Sequence, residues 1–140
     1  DVSVRLLGRD TRAANLVVIG SHCVGLDLLL GYLQDAGLRT KFLSVGSTAG
    51  LEAARVCAER GHRVTLFEAA SELGGQVCIA ARAPWRNNLI GVVQWRVGEI
   101  DHLGVDVRMN TYAQASDILA ESPDVVLVAT LLHAFFAVSA

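Results

Sequence analysis

Short, strongly apolar runs alternate along this chain with longer stretches in which apolar residues recur every three or four positions. Short runs rich in β-branched residues are typical of buried strands, and they cover residues 15–20, 40–45, 63–67, 105–109 and 124–129. The stretches with helical spacing predict amphipathic helices over 24–35, 49–60, 89–100 and 113–121. Three of these four helices are followed by a glycine, at Gly37, Gly61 and Gly104, as expected of helix ends.

Strands that alternate with helices pair in parallel through right-handed crossovers. The pattern therefore predicts one domain over residues 1–140, an α/β fold with a doubly wound, five-stranded parallel sheet in a Rossmann-like three-layer sandwich. A length of 140 residues agrees with a single domain. Residues 131–140 form an apolar tail, which is expected to pack on the sheet or to mediate a homodimer.

Composition excludes several classes of protein. The apolar fraction is 52% and the charged fraction 19%, so the chain is globular rather than disordered. A net charge of −2 argues against non-specific binding to nucleic acid. The longest apolar run, 125–140, is too short and too polar for a membrane span. The three cysteines lack C-x-x-C spacing and no signal peptide opens the sequence, so a soluble, cytoplasmic protein with reduced thiols is expected.

The stretch from Ser44 to Ala70 contains most parts of a dinucleotide-binding unit. A strand leads into a glycine turn, a helix and another strand follow, and Glu68 comes next. The turn Gly46-Ser47-Thr48-Ala49-Gly50 is, however, one residue shorter than G-x-G-x-x-G. The loss of a residue rotates the amides that would face a pyrophosphate. Ser47 and Thr48 are therefore expected to cap the helix, with weak anion binding as the alternative.

Three stretches carry a resemblance to a known family. They are "GLEAARVCAERGHRVTLFEAASELGGQV", "APWRNNLIGVVQWRVGEIDHLGVDVRMNT" and "PDVVLVAT". Residues 51–130 resemble the FAD/NAD-binding domain of the flavoproteins that include 2,4-dienoyl-CoA reductase and trimethylamine dehydrogenase. This resemblance implies that Glu68 binds ribose hydroxyls and that Gly74, Gly75 and Gln76 form part of the cofactor wall. The barrel and the iron–sulfur cysteines that such proteins carry upstream are missing from the sequence.

Residues 15–50 resemble a different family. The stretch "NLVVIGSHCVGLDLLLGYLQDAGLRTKFLSVGSTAGL" is similar to the opening of a periplasmic-binding-protein-like domain of the molybdate type. In that family a serine hydroxyl and helix-terminal amides bind an oxyanion, which implies roles for Ser21, Ser47 and Thr48. Because both resemblances meet at residues 45–51, we interpret the chain as a hybrid, natural or engineered. The alternative is a diverged flavoprotein fragment with a one-residue deletion.

The hybrid interpretation also predicts a strand order. Numbered along the chain, the five strands are expected in the order 4-3-2-1-5, and the flavodoxin-like order 2-1-3-4-5 is the alternative. A crevice would then form where the chain reverses direction between strands 1 and 5, with walls at Gly20, Ser21, Ala129 and Thr130.

These observations favour a non-catalytic hybrid scaffold with no activity of its own. No catalytic residue, metal ligand or cofactor is expected, and Cys23 beside His22 is interpreted as structural because adjacent helix residues do not face each other. The first alternative is an FAD- or NAD-binding module of a flavin oxidoreductase, for which the candidate residues are Gly46, Ser47, Thr48, Gly50, Glu68 and Gly75. The second alternative is an oxyanion-binding half-lobe that uses Ser21, Ser47 and Thr48.

Overall fold

The computed structural model of the chain describes residues 15–19, 35, 37, 39–42 and 48–129. The strands are β1 (Asn15–Ile19), β2 (Arg39–Phe42), β3 (Arg63–Phe67), β4 (Asp106–Arg108) and β5 (Val125–Val128). The helices are α1 (Ala49–Glu59), α2 (Gln76–Ala80), α3 (Ile90–His102) and α4 (Ala115–Ala120), and a 3-10 helix spans Pro84–Leu89. Apart from Asp35, the helix predicted over 24–35 lies outside the described residues, as does the tail 131–140.

The strands form one parallel sheet in the order β2-β5-β1-β3-β4. The predicted order 4-3-2-1-5 is therefore wrong, and the flavodoxin-like alternative does not match either. Two predicted neighbours are confirmed, since β4 lies beside β3 and β5 lies beside β1. The error is the position of β2, which the prediction placed between β1 and β3. Its sequence, Arg-Thr-Lys-Phe, is charged and suits the edge of the sheet where the structure places it.

The central strands β1, β3 and β5 are buried on both faces, which is why each is an almost unbroken apolar run. Their alternate side chains contribute to one hydrophobic cluster with α1 and α3. The sheet supplies Leu16, Val18, Val64, Leu66, Val125 and Leu127, and the helices supply Leu51, Ala53, Ala54, Cys57, Val93 and Ile100. The two helices therefore form a layer over one face of the sheet.

A charged network joins α1 to α3 outside this core. Glu52 accepts hydrogen bonds from Arg55 at 2.9 Å in its own helix and from Arg96 Nε at 2.9 Å in α3. The hydrogen bond from Arg55, helped by the charge of Arg96, lowers the pKa of Glu52 below its usual value. The carboxylate form is therefore favoured in the folded state.

Gly74 lies where the chain turns from the end of β3 into α2. Its φ of +109° is one that side-chain-bearing residues rarely adopt, and a Cβ there would lie 2.6 Å from Val93 Cγ1. The glycine lets the turn pack directly against α3. It therefore fixes the loop that follows Glu68.

We expect Gly74→Ala to lower the free energy of unfolding by about 2–3 kcal/mol, because it combines backbone strain with a steric clash. The measurement is equilibrium urea unfolding followed by circular dichroism. Gly98→Ala is the matched control, because the same Cβ in the interior of α3 meets no described atom within 4 Å. It should be neutral or stabilising by up to about 1 kcal/mol. Equal effects of the two substitutions would contradict this account of Gly74.

Glu52→Gln should lower the free energy of unfolding at pH 7 by roughly 0.5–1 kcal/mol, a value kept small because the carboxylate is partly exposed. The folded-state pKa of Glu52 is lowered from 4.5, so its contribution is present above that pH and is lost as the pH falls through the lower folded value. Urea titrations at pH 7 and at successively lower pH values should show the difference between wild type and variant becoming smaller in acid. Asp101→Asn, on the exposed surface of α3, is the control. At each pH it should change the free energy of unfolding by less than Glu52→Gln does at pH 7.

Candidate functional site at the carboxyl edge of the sheet

The site predicted from the sequence lies at the edge of the sheet where the strands end. All strands are parallel, so their carboxyl ends share this edge, and Glu68 follows β3 there. Helix α1 is joined to β3 by the tight turn at Gly61 and runs antiparallel to the strand. The N-terminus of α1 therefore lies at the same edge, which is where ligands bind in open α/β sheets.

The first turn of α1 presents its backbone amides at this edge. The first intrahelical bond is donated by the N–H of Glu52 to the carbonyl of Thr48, at 3.0 Å. The N–H groups of residues 49–51 come before that bond and have no acceptor within the helix. Thr48 occupies the N-cap position, but within the described residues its side chain makes no capping hydrogen bond. The capping role predicted for Thr48 is therefore wrong.

Glu68 is held at the ends of two strands. Its backbone N–H donates to the carbonyl of Arg108 at 2.9 Å, and its carbonyl accepts from the N–H of Thr111 at 2.9 Å. The side chain is buried, with 4% of the residue exposed, and Oε1 accepts a hydrogen bond from the N–H of Ala70 at 2.8 Å. The Glu68 carboxylate is therefore not a simple strand-end acid that faces water.

The other candidate residues are distributed unevenly over the structure. Gly50 is buried in the first turn of α1, and Gly75 precedes α2 with a φ of +50°. Gly46 and Ser47 lie outside the described residues. So do three walls of the crevice predicted between strands 1 and 5, Gly20, Ser21 and Thr130, whereas Ala129 is buried at the end of β5.

Arg108 is the last residue of β4, and sequence reasoning missed its charged side chain. Its guanidinium lies 5.4 Å from the ring centroid of Phe67 and forms ion pairs with Asp106 and Glu121. The hydrogen bond to Asp106 raises the pKa of Arg108 further above its usual value. The signal for it was its position next to the last residue of the strand predicted over 105–109. Because two carboxylates of the protein already pair with the guanidinium, its positive charge is largely neutralised.

The described thiols do not resemble catalytic nucleophiles. Burial raises the pKa of Cys57 to about 11, and burial is also the main cause that raises the pKa of Cys78. Both are therefore protonated near neutral pH. Among the described residues, no three His, Cys, Asp or Glu side chains cluster as metal ligands would. No helix in the same part of the chain is long and apolar enough to cross a membrane.

Comparison with known proteins shows what the chain is similar to. Residues 46–88 match the family of the NAD(P)-binding Rossmann-like domain. The chain is 55% identical over 99 residues to the multifunctional alkene reductase/demethylase OYE of Caballeronia cordobensis. It is 52% identical over 114 residues to a probable N-methylproline demethylase of Rhizobium meliloti. These matches cover 70% and 80% of this chain but only 15% and 17% of the relatives, so the chain spans about a sixth of their length.

A solved structure gives the same result for the fold. The structure of a 2-naphthoyl-CoA reductase in complex with 2-naphthoyl-CoA superposes with a TM-score of 0.62 at 27% identity. It covers 84% of this chain and 14% of the reductase chain.

These findings overturn two predictions. A match of 124 residues to the cinnamate reductase of Clostridium sporogenes covers 89% of this chain, and a match of that length cannot leave out the segment before residue 50. No comparison supports a periplasmic-binding-protein-like piece or a hybrid origin. The interpretation as a non-catalytic scaffold is also wrong, because the relatives are named reductases, demethylases and dehydrogenases. The chain has a Rossmann-like α/β fold, its residues 46–88 match the NAD(P)-binding family, and the relatives it resembles are named as oxidoreductases.

Proposed function

We propose that this chain is the part of a flavin-dependent oxidoreductase that binds an adenine dinucleotide, FAD or NAD(H), at the carboxyl edge of its sheet. One observation carries the proposal. The buried carboxylate of Glu68 ends β3 at the same edge as the N-terminus of α1. An acid at this place and a helix N-terminus are the two polar elements that the dinucleotide fold uses.

The start of α1 fits a pyrophosphate. The amides of residues 49–51 carry the positive end of the helix dipole, and the Thr48 hydroxyl does not occupy them as a cap. Gly50 adds no side chain to the buried side of the first turn. A diphosphate would therefore meet hydrogen-bond donors that the described residues leave without intrahelical partners.

Glu68 fits a ribose. A carboxylate is an acceptor-only group with about four lone-pair sites, so it can accept from ribose hydroxyls in addition to the Ala70 amide. The bond from Ala70 and the strand hydrogen bonds hold the carboxylate in place before any ligand arrives. The same negative charge disfavours a 2′-phosphate. We therefore infer a preference for FAD or NAD(H) over NADP(H).

The bound dinucleotide supplies the hydride or electron transfer, as such cofactors do. The residues of this chain would bind and orient it: the α1 amides would hold the phosphates, and Glu68 would fix one ribose. The name of each relative states a different substrate, and the substrate of this protein would be determined by regions outside the dinucleotide site. The proposal is therefore limited to oxidoreduction with an adenine dinucleotide.

The test is binding to the whole chain, measured by thermal shift and calorimetry with FAD, NADH and NADPH. A ligand at one hundred times its Kd should stabilise the fold by about 2.7 kcal/mol, which is an increase of several degrees in Tm. We expect a shift with FAD or NADH that exceeds the shift with NADPH. The absence of a shift with every adenine dinucleotide would contradict the proposal, and a shift with molybdate or sulfate alone would favour the oxyanion alternative.

Glu68→Gln should raise the Kd for the bound dinucleotide roughly tenfold or more, because a hydrogen bond to a charged group is worth about 1.5–3 kcal/mol. The amide keeps the shape of the side chain and an oxygen for the Ala70 N–H. Glu72→Gln is the matched control, since its exposed carboxylate lies in the same loop. It should leave the Kd within about twofold. An unchanged Kd in Glu68→Gln with an intact fold would remove Glu68 from the site.

A further inference from the structure

An exposed apolar face lies on the outer side of the helix layer, and the dinucleotide site does not use it. It consists of large side chains from α2, the 3-10 helix and α3, which follow one another in the sequence and pack together. We call it the tryptophan face, and it comprises Ile79, Trp85, Leu89, Val92 and Trp95. Trp85 is 80% exposed and Trp95 is 53% exposed. Two tryptophans exposed to this extent on adjoining elements are typical of a protein interface.

Trp95 is held in place before any partner binds. The guanidinium carbon of Arg55 lies 5.3 Å from its ring centroid and that of Arg96 lies 5.7 Å from it. Both arginines are in turn bound to Glu52. A side chain fixed in this way loses little conformational entropy when it is covered, which favours its use as an anchor.

The surface of α3 has a notch beside this anchor. Gly91 lies one helical turn before Trp95 on the same stripe, and a Cβ at Gly91 would meet no described atom within 4 Å. Trp95 projects from the stripe, whereas Gly91, four residues earlier, leaves it open. The shapes of two copies of this stripe are therefore complementary when the helices run antiparallel. Trp95 of each helix then lies over Gly91 of the other.

The charges along this segment select the same arrangement. Residues 76–97 contain Arg82, Arg86 and Arg96 and no Asp or Glu, whereas Glu99 and Asp101 follow directly. An antiparallel pair with Trp95 over Gly91 has its two-fold axis at the level of Val93. Arg86 of one copy then lies at the level of Glu99 and Asp101 of the other. A parallel pair would instead bring like charges together.

We propose that the tryptophan face binds a second copy of this chain, with α3 packed antiparallel on α3 across a two-fold axis near Val93. The contact is isologous, so each copy contributes the same anchor, notch and charges. The inference goes beyond the proposed dinucleotide binding and does not depend on it. It also differs from the predicted homodimer through the tail 131–140, which lies outside the described residues and stays a prediction.

The first test is the mass of the purified chain in solution, measured by sedimentation velocity over a range of concentrations. The wild type should show a dimer whose population rises with concentration. Trp95→Ala should raise the dimer Kd at least tenfold, because a central tryptophan is the usual anchor of an interface. Leu119→Ala, which removes an exposed apolar side chain from α4, should leave the Kd unchanged.

A single-chain mass at every concentration would overturn the proposal and would indicate that the face is covered by another protein region. A dimer that survives Trp95→Ala would overturn it as well and would favour the tail.

The second test examines the antiparallel arrangement by exchanging charges. Arg86→Glu alone should weaken the dimer, and so should Glu99→Arg alone, because each places like charges across the interface. The double variant Arg86→Glu/Glu99→Arg restores opposite charges and should return the Kd to within a few-fold of the wild type. Circular dichroism of each variant shows whether the monomer has kept its fold. Folded single variants that are not rescued in combination would contradict the antiparallel pairing.

Discussion

The rest of the structure depends on the burial of β1, β3 and β5 on both faces. Backbone groups in such strands have no access to water, so each must be paired by a neighbouring strand, and each side-chain layer must be covered by other apolar groups. The parallel pairing of β1 with β3 and with β5 meets the first requirement. Packing of α1 and α3 on one face meets part of the second. The same arrangement brings the ends of the strands and the start of α1 to one edge.

The function follows from this geometry more than from any single motif. Glu68 is buried because it follows a central strand, and the helix amides are at the same edge because α1 leads through the tight turn at Gly61 into β3 and runs antiparallel to it. The dinucleotide proposal therefore rests on fold and chemistry together. Helix α3 links this site to the outer surface, since Gly74 packs on Val93 on one side of the helix while Trp95 is exposed on the other.

Periodicity in the sequence predicted most elements, because buried strands and amphipathic helices have distinct apolar spacing. The position of β2 could not be read from spacing, since strand order depends on long-range pairing, although the charges of Arg39 and Lys41 pointed to an edge. Glu68 was identified as a candidate, but its burial and its bond to Ala70 are tertiary facts. The function was predicted wrongly because the glycine motif was taken to begin at Gly46, which makes it one residue shorter than G-x-G-x-x-G. Counted back from Gly50, the motif keeps its length, with Val45 and Ser47 in place of two glycines.

The burial of Cys57 on the inner side of α1 makes this thiol a natural probe of motion. With a pKa of about 11, only about one thiol in a thousand is ionised near pH 8, and the folded protein also shields the sulfur from reagents. Alkylation of Cys57 therefore requires α1 to separate from the sheet. The rate of labelling at this position would report how often the helix that begins the cofactor site opens, without any introduced tag or dye.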